Sequence, residues 1–291
     1  MKCKYCNKDS DRKTMKKMFS IATTGSKLPD DKFFCMECGC CYDITVKKLS
    51  IIIPVYNEER YFDKIMKKVL DVKLPDDIHK EIIIVESNST DGTKEIVRKY
   101  AEILQRNVQF KIIFESRPRG KGYAVRTGLR YATGDVILIQ DADLEYDPDE
   151  YSTLLQPIID NNADFVLGSR HLGAETWKIR KFDYSRWYAR LVNVGSEVLN
   201  SIFALLYNIK LTDPQTMFKV FRRDCINGIK FKSNHFQLDW EIVIKLCKNG
   251  YIPIEIPVSY KARTLEQGKK IRLSRDGFLA LWTIIKYRFV D

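Results

Sequence analysis

The chain has 291 residues, of which 45% are hydrophobic and 30% are charged, a composition typical of a soluble globular protein. Its formal net charge of +11 suits phosphate-bearing ligands or an anionic membrane surface, but does not distinguish these from nucleic acid. No apolar run reaches the roughly 18–20 residues of a membrane span, and no hydrophobic signal region follows MKCKYC. We therefore expect a cytoplasmic protein, with any membrane contact peripheral and on the cytosolic face.

The N-terminal residues 1–45 contain six of the eight cysteines, four of them in two CxxC pairs. Two such turns supply the four thiolates of a tetrahedral zinc site, and this clustering favours metal in a reducing cytosol over disulfides. A zinc-ribbon-like unit with structural Zn²⁺ is predicted. Its expected ligands are Cys3, Cys6, Cys35 and Cys38. Cys40 or Cys41 could replace Cys38, and free or redox-active thiols are the competing interpretation.

From residue 48 onward, apolar runs typical of buried strands alternate with segments typical of helices. The first three runs are LSIIIP at 49–54, EIIIV at 81–85 and VQFKIIF at 108–114. This alternation with short links predicts a mostly parallel sheet with right-handed crossovers, and hence an α/β fold. The main domain is placed at residues 48–291, with an amphipathic helix at its C-terminal end.

The fourth apolar run lies in VILIQDADLEYDP at 136–148 and ends in a cluster of carboxylates. Ligands of open α/β sheets bind beyond the carboxyl ends of the strands. Side chains at alternate positions can point the same way, and Mg²⁺ or Mn²⁺ prefers carboxylate oxygens. Asp141, Asp143 and Glu145 therefore predict a metal–phosphate site. A solvated acidic turn is the alternative.

Two other nucleotide-binding motifs are disfavoured. The turn after the first strand reads PVYNEE and lacks the glycines of a dinucleotide-binding motif. Gly120 and Gly122 follow the third strand and lack the spacing of a P-loop. The sequence therefore disfavours binding of NAD or FAD and a P-loop nucleotide site.

Several motifs in fixed order carry a family resemblance. They are IIIPVYNEE, IIIVESNSTDGT, RGKGYAVRTGLRYATGDVILIQDADLE, VLGSR, DPQTMFK, FQLDWE and EIPVSY, within about residues 48–289. Together they resemble family 2 glycosyltransferases of the GT-A fold, and they look most similar to dolichyl-phosphate mannose or glucose synthases. The resemblance implies an inverting, metal-dependent hexosyltransferase that uses a UDP- or GDP-sugar and a polyprenyl phosphate.

The resemblance also implies a nucleoside pocket. Its expected residues are Pro54, Tyr56, Glu58 and Glu86. Tyr56 offers a ring for stacking, and Glu86 offers an acceptor for a base N–H, although Glu58 could instead be a first-turn helix charge. The family commonly carries two aspartates where this chain has Glu86 and Ser87, which leaves the base contact and its selectivity open.

Charged residues are expected around the diphosphate. By resemblance, Asp143 and Glu145 hold the divalent ion, while Asp141 is shared between ribose and metal. Lys121 begins a helix, where a cation and free backbone N–H groups favour anions. Arginine forks match phosphate oxygens, and the expected phosphate ligands are Arg170 and Arg263. The loop after Arg263 also contains Lys269, Lys270 and Arg272, for which a solvated basic loop is the alternative.

The acceptor decides whether a base is needed. A hydroxyl nucleophile needs a general base in reach, and the candidates in order of preference are Asp239, Glu241 and Asp213. A lipid phosphate is already an anion and needs a cationic cradle instead. Basic residues crowd the region after the sugar site: Arg170, Lys178, Arg180, Lys181, Arg186 and Arg190.

Two helical stretches rich in aromatic and leucine residues, 187–207 and 278–290, suit a membrane interface. Packing against the sheet or a partner subunit is their alternative. The competing functions are transfer to a hydroxyl of a glycan or protein, with Asp239 as base, and a zinc-ribbon adaptor with a degenerate transferase domain. Nucleic acid is the least favoured partner of the main hypothesis.

Overall fold

The computed structural model describes residues 32–34, 41–43, 45–75, 78–103, 108–172, 186–263 and 273–290. The chain divides into two units, Met1–Val46 and Lys47–Asp291. In the first unit, strand β1 (Lys32–Phe34) pairs antiparallel with β2 (Cys41–Asp43). The predicted zinc ligands Cys3, Cys6, Cys35 and Cys38 lie outside the described residues, as does Cys40.

In the described part of the second unit, seven strands form one mixed sheet in the order β5-β4-β3-β6-β8-β7-β9. They are β3 (Lys48–Val55), β4 (His79–Glu86), β5 (Val108–Phe114), β6 (Val136–Ile139), β7 (Phe165–Ser169), β8 (Lys219–Arg222) and β9 (Ile254–Pro257). β3 runs parallel to β4 and β6, β4 to β5, and β7 to β9, while β8 lies antiparallel between β6 and β7. The predicted α/β fold with a mostly parallel sheet is confirmed.

Helices connect the strands and cover the sheet. They are α1 (Phe62–Asp71), α2 (Thr93–Tyr100), α3 (Lys121–Tyr131), α4 (Tyr151–Ile159), α5 (Arg186–Tyr207), α6 (Leu238–Lys248) and α7 (Leu273–Phe289). Short 3₁₀ turns occupy Pro148–Glu150 and Arg223–Ile226. α1 shows the usual helical pattern, because its buried residues Phe62, Ile65, Met66 and Val69 recur at the spacing of one helix face.

The core lies around the first two strands of this sheet. In β3 and β4 consecutive isoleucines are buried, which requires cover on both faces of the sheet. Ile51, Ile52 and Ile53 pair in register with Ile82, Ile83 and Ile84. Burying one such side chain contributes roughly 1.5–3 kcal/mol, so this double row accounts for much of the stability of the domain.

Glu81, a buried carboxylate at the opposite end of the sheet, is held by several partners. Glu81 accepts hydrogen bonds from Ser50 Oγ at 2.5 Å and from Thr133 N at 2.8 Å, and it pairs with Lys111 at 2.7 Å. Burial would raise the pKa of Glu81, but Lys111 and these donors outweigh it and lower the pKa to about 2. This cluster ties β3, β4, β5 and the loop before β6 together, and the carboxyl ends remain open for a site.

Candidate active site

A cavity of about 880 Å³ opens at the carboxyl ends of β3, β4 and β6. Its lining includes the residues predicted for the transferase site, Glu86 excepted: Pro54, Tyr56, Glu58, Lys121, Asp141, Asp143, Glu145, Arg170, Asp239 and Arg263. The parallel strands explain this convergence, because their carboxyl ends, with the loops that follow, meet at one edge. Segments more than 200 residues apart in sequence therefore contribute to one site, as the Glu58–Arg263 contact illustrates.

Glu86 turns away from this cavity. The side chain is fully buried, and its carboxylate accepts hydrogen bonds from Asn88 N at 3.2 Å and Ser89 N at 2.6 Å. Those donors belong to its own turn, in which Asn88 has a positive φ of 54°. Ser87 lines the cavity in its place. In this geometry the carboxylate of Glu86 secures its own turn and Ser87 faces the cavity, so a nucleoside contact of Glu86 stays a prediction.

Three carboxylates surround the guanidinium of Arg263. Arg263 Nη2 donates to Asp143 Oδ2 at 2.6 Å, and Nη1 donates to Glu58 Oε2 at 2.8 Å. Glu145 accepts from Arg263 N at 2.7 Å and from the Tyr260 hydroxyl at 2.9 Å. The two predicted metal ligands, Asp143 and Glu145, thus converge on one cationic centre.

The electrostatics of this cluster call for a cation. Burial, together with the carboxylates of Asp141 and Glu145, raises the pKa of Asp143 to about 7. Burial would lower the pKa of Arg263, but Asp143 and Glu58 outweigh it and raise the pKa, so the guanidinium stays charged. The negative potential of the cluster is therefore balanced by one side chain.

Among the described residues, no group of three or more His, Cys, Asp or Glu side chains is arranged to hold a metal ion. The donor set nevertheless fits Mg²⁺ or Mn²⁺. Asp143 and Glu145 are hard oxygen ligands that already face one positive centre, and crowding with Asp141 disfavours the charged form of Asp143. A divalent ion at the position of the Arg263 guanidinium would relieve that repulsion.

Asp141 pairs with Lys121 instead of joining the Arg263 cluster. The Lys121 ammonium contacts Asp141 Oδ1 and lies 5.5 Å from the centre of the Phe236 ring. Burial would lower the pKa of Lys121, but Asp141 and Asp239 outweigh it and raise the pKa. Gly120, directly before α3, has a φ of 103°, a conformation that glycine adopts without strain. The turn thereby places a charged lysine beside the cavity.

Arg170 forms a two-pronged ion pair with Asp213. Nε and Nη2 donate to the two carboxylate oxygens at 2.6 and 2.7 Å, and Arg170 N donates to Oδ2 at 3.0 Å. Burial would raise the pKa of Asp213, but Arg170 lowers it. Because its pKa is lowered, Asp213 is a poor general base. It positions Arg170, which lines the cavity.

The other two base candidates differ in access. Asp239 lines the cavity 3.5 Å from Lys219 Nζ, and burial raises its pKa against the pull of Lys219 and Lys121. Glu241 is fully buried and accepts from Lys232 N, Ser233 N and the Tyr287 hydroxyl at 2.7–2.8 Å. Glu241 therefore anchors α7 and a neighbouring loop, and Asp239 is the candidate that remains in reach of substrate.

An apolar part of the cavity lining comes from two helices. It is formed by Val198, Leu199 and Ile202 of α5 and by Phe278, Ala280 and Leu281 of α7. The stretches predicted as helices, 187–207 and 278–290, are thus helical and border the site. Large apolar side chains are also exposed along α7: Phe278 is 69% exposed and Trp282 is 56% exposed. No helix in the described part of the chain is long and apolar enough to span a membrane.

Some predicted cations lie outside the described residues: Lys178, Arg180, Lys181, Lys269, Lys270 and Arg272. Other residues were missed by sequence reasoning. Ser87, Tyr260 and His235 all line the cavity, yet none was given a role. Ser87 directly follows a strand end, and that position is the signal that could have identified it.

Comparisons with known proteins agree with this geometry. The profile of Glycosyl transferase family 2 matches residues 50–229. A dolichol-phosphate mannosyltransferase of Pyrococcus furiosus is 29% identical over 222 residues, covering 76% of this chain and 59% of that protein. This chain therefore spans less than two thirds of that relative.

Two solved structures share the fold. Glucosyl-3-phosphoglycerate synthase from Mycobacterium tuberculosis, in complex with Mn²⁺, UDP and glucosyl-3-phosphoglycerate, has a TM-score of 0.61 at 16% identity, covering 84% of this chain and 81% of that chain. A mannosyltransferase from Pyrobaculum calidifontis, in complex with GDP-Man and Mn²⁺, has a TM-score of 0.50 at 21% identity, covering 73% and 55%. Since the family profile matches more than half of the chain and these neighbours share its fold, the chain belongs to glycosyl transferase family 2 and has the GT-A fold.

Proposed function

We propose that the protein transfers one hexose from a UDP- or GDP-linked sugar to a polyprenyl phosphate, with inversion at the anomeric carbon. The lining of the cavity carries this proposal: it combines charged residues that follow the strand ends with apolar residues of α5 and α7. A nucleoside diphosphate sugar suits the charged residues, and an isoprenoid chain suits the apolar residues. The named activity of the Pyrococcus furiosus relative agrees with this pairing.

The residues that follow the strand ends supply donor binding. Tyr56 and Pro54 offer apolar surface for the nucleoside, while Lys121 offers a cation for the diphosphate. Asp143 and Glu145 would hold Mg²⁺ or Mn²⁺, which would stabilise the negative charge on the departing nucleoside diphosphate. Solved neighbours contain Mn²⁺ with UDP or with GDP-Man, which supports this assignment.

The acceptor needs a cationic cradle more than a base. Asp213 holds Arg170 in a fixed orientation, with its guanidinium 5.1 Å from the centre of the Tyr260 ring, and Arg263 lines the same cavity. An acceptor phosphate bound by such guanidinium groups is already a nucleophile. Its oxygen would attack the anomeric carbon in line with the departing diphosphate.

Peripheral membrane contact follows from the same acceptor. Phe278, Trp282 and Phe289 are exposed along α7, and Lys286 and Arg288 lie in its last turn. Aromatic rings with adjacent cations suit the headgroup region of an anionic bilayer. We place the protein in the cytoplasm, with this helix against the cytosolic face of a membrane.

A second candidate function is transfer to a hydroxyl of a glycan or protein. Its support is Asp239, a buried carboxyl at the cavity wall whose raised pKa is suited to accepting a proton. The adaptor hypothesis requires a degenerate transferase domain. The predicted charged residues of the site line one cavity, which argues against such a domain.

The test is a transfer assay with Mn²⁺ in which UDP-glucose and GDP-mannose are each offered to polyprenyl phosphate and to oligosaccharide acceptors. We expect sugar to appear on the lipid phosphate, and Asp143→Asn to abolish that product. Asp149→Asn, an exposed neighbour in the same acidic stretch, is the matched control and should keep full activity. Asp239→Asn should reduce transfer to a hydroxyl by about 100-fold or more and spare a phosphate acceptor. Transfer to oligosaccharide alone would reject the lipid acceptor.

A further inference from the structure

Ser87 and Glu115 form a hydrogen-bonded pair beside the cavity. Ser87 Oγ donates to Glu115 Oε2 at 2.8 Å. Ser87 is only 4% exposed, and it lines the cavity directly after β4. Glu115 directly follows β5, and its backbone N–H donates to Glu86 O at 2.8 Å, which holds the two strand ends side by side.

We propose that Ser87 contacts the nucleobase of the donor and that Glu115, acting through Ser87, selects a base whose ring nitrogen at that edge carries a hydrogen. This inference rests on the proposed function, because it concerns the donor nucleotide. Ser87 is the contact residue, and Glu115 is a positioning residue.

The location suits a base. The cavity lining includes the uncharged Pro54, Val55, Tyr56 and Pro118, and Ser87 N donates to Val55 O at 2.9 Å. The charged cluster of Asp143 lies after β6, and β3 separates β6 from β4 in the sheet. Two strand spacings amount to roughly 10 Å. A nucleoside can span that distance, with its base at Ser87 and its diphosphate near the charged cluster.

The direction of the Ser87 hydrogen carries the selectivity. A serine hydroxyl has one hydrogen and two lone pairs, whereas a carboxylate only accepts. Because Glu115 takes the hydrogen, Ser87 presents lone pairs to the cavity. Thr127 Oγ1 approaches the other oxygen of Glu115 at 3.3 Å, which keeps the carboxylate in place.

Bases differ in what they offer to those lone pairs. Uracil presents N3–H, and guanine presents N1–H and an amino group, so each can donate to Ser87. At the same ring position adenine N1 and cytosine N3 carry lone pairs and would oppose it, while the amino groups of these two bases are attached to the neighbouring ring carbon. A buried polar contact left unmade weakens binding by about 10-fold to 100-fold. UDP and GDP should therefore bind more tightly than ADP and CDP.

The experiment measures the affinities of UDP, GDP, ADP and CDP for the full chain by calorimetry in Mn²⁺. For the wild type we expect at least a 10-fold preference for UDP or GDP over both ADP and CDP. Glu115→Met removes the acceptor while keeping the length of the side chain, so Ser87 can rotate and the preference should fall to about threefold or less. Glu115→Gln retains an acceptor oxygen and should keep the preference.

Ser87→Ala, which removes the contact itself, should also lose the preference, and it provides a second variant if Glu115→Met folds poorly. Glu95→Met, an exposed glutamate on α2, is the matched control. A general loss of packing in a variant would weaken the binding of all four nucleotides alike and leave the ratios of their affinities unchanged. Unaltered ratios in Glu115→Met and Ser87→Ala would overturn the inference, and so would equal losses in Glu115→Met and Glu115→Gln. A wild type that binds nucleotides without base preference rejects this inference alone, whereas one that binds none of them rejects the proposed function as well.

Discussion

Arg263 Nη2 lies 2.6 Å from Asp143 Oδ2, so a guanidinium pairs with one of the two carboxylates that we propose would hold a divalent ion. The same guanidinium contacts Glu58 at 2.8 Å. On the proposed function, Arg263 and a metal ion would compete for the same carboxylates. A guanidinium released from them would be available to phosphate, which links metal loading to phosphate binding.

This competition predicts the behaviour of Arg263→Ala. Without nucleotide, the variant should bind Mn²⁺ about 3-fold to 10-fold more tightly, because the ion no longer displaces a cation. Its transfer rate should fall, because a phosphate ligand is lost. Titration of free Mn²⁺ by electron paramagnetic resonance measures the affinity, with Arg98→Ala, an exposed arginine on α2, as control. An unchanged or weaker Mn²⁺ affinity would contradict the competition.

Metal affinity should also depend on pH. The folded-state pKa of Asp143 is raised to about 7, chiefly by burial, so a proton competes with metal below that pH. Between pH 8 and pH 6 the affinity for Mn²⁺ should fall about 10-fold for this one proton. In the metal-free protein the stability changes in the opposite direction: the contribution of protonated Asp143 is present at low pH and is lost as pH rises through about 7. Asp143→Asn should flatten both profiles, and a persistent slope in that variant would assign the proton elsewhere.

Glu81 predicts the opposite sign at acid pH. Burial opposes its ionisation, yet Lys111, Ser50 and Thr133 lower its pKa to about 2 in the folded protein. Its stabilising contribution is present above the unfolded pKa of about 4.5 and is lost as pH falls towards 2. Glu81→Gln should lose about 2–3 kcal/mol of unfolding free energy at pH 7 and show a flatter profile between pH 5 and pH 2. Urea unfolding at each pH measures both, and equal slopes for variant and wild type would refute the assignment.

The pair of Arg170 and Asp213 should be costly to break. Both side chains are buried, and Asp213→Ala would leave a buried guanidinium with a lost partner. We expect a destabilisation of about 3–5 kcal/mol in urea unfolding and loss of transfer activity. The exposed Asp224→Asn should change stability by less than about 0.5 kcal/mol. A stable Asp213→Ala variant would show that solvent or another group compensates Arg170.

Local sequence patterns predicted the strands well, because their cause is local. The isoleucine runs of β3 and β4 must be buried on both faces, and β5 begins and ends at the predicted residues, Val108 and Phe114. The position of the site followed from the same logic, since loops after parallel strands share one edge.

Distant partners explain what the sequence left open. β8 contains two basic residues in a fully buried four-residue strand, and their partners lie elsewhere: Lys219 pairs with Asp239, and Arg222 bonds Ile158 O. The orientation of the Glu86 side chain is likewise set by the backbone N–H groups of its turn. Arg263 contacts carboxylates that are 118–205 residues away in sequence. Alternation and composition contain no information on such pairings.

The apolar part of the cavity lining gives the last prediction. Phe278 lines the cavity and is 69% exposed, and Trp282 lies one helical turn further along α7. If an isoprenoid chain passes there, the double variant Phe278→Ser/Trp282→Ser should raise the KM for polyprenyl phosphate at least about 10-fold, because two aromatic contacts are lost. The affinity for nucleoside diphosphate should be unchanged, and flotation with anionic vesicles should decrease. Tyr131→Ser, which removes a half-exposed aromatic ring from α3, is the matched control. Equal KM values for the double variant and the control would show that the lipid does not bind along α7. The proposed donor site would be unaffected by that result.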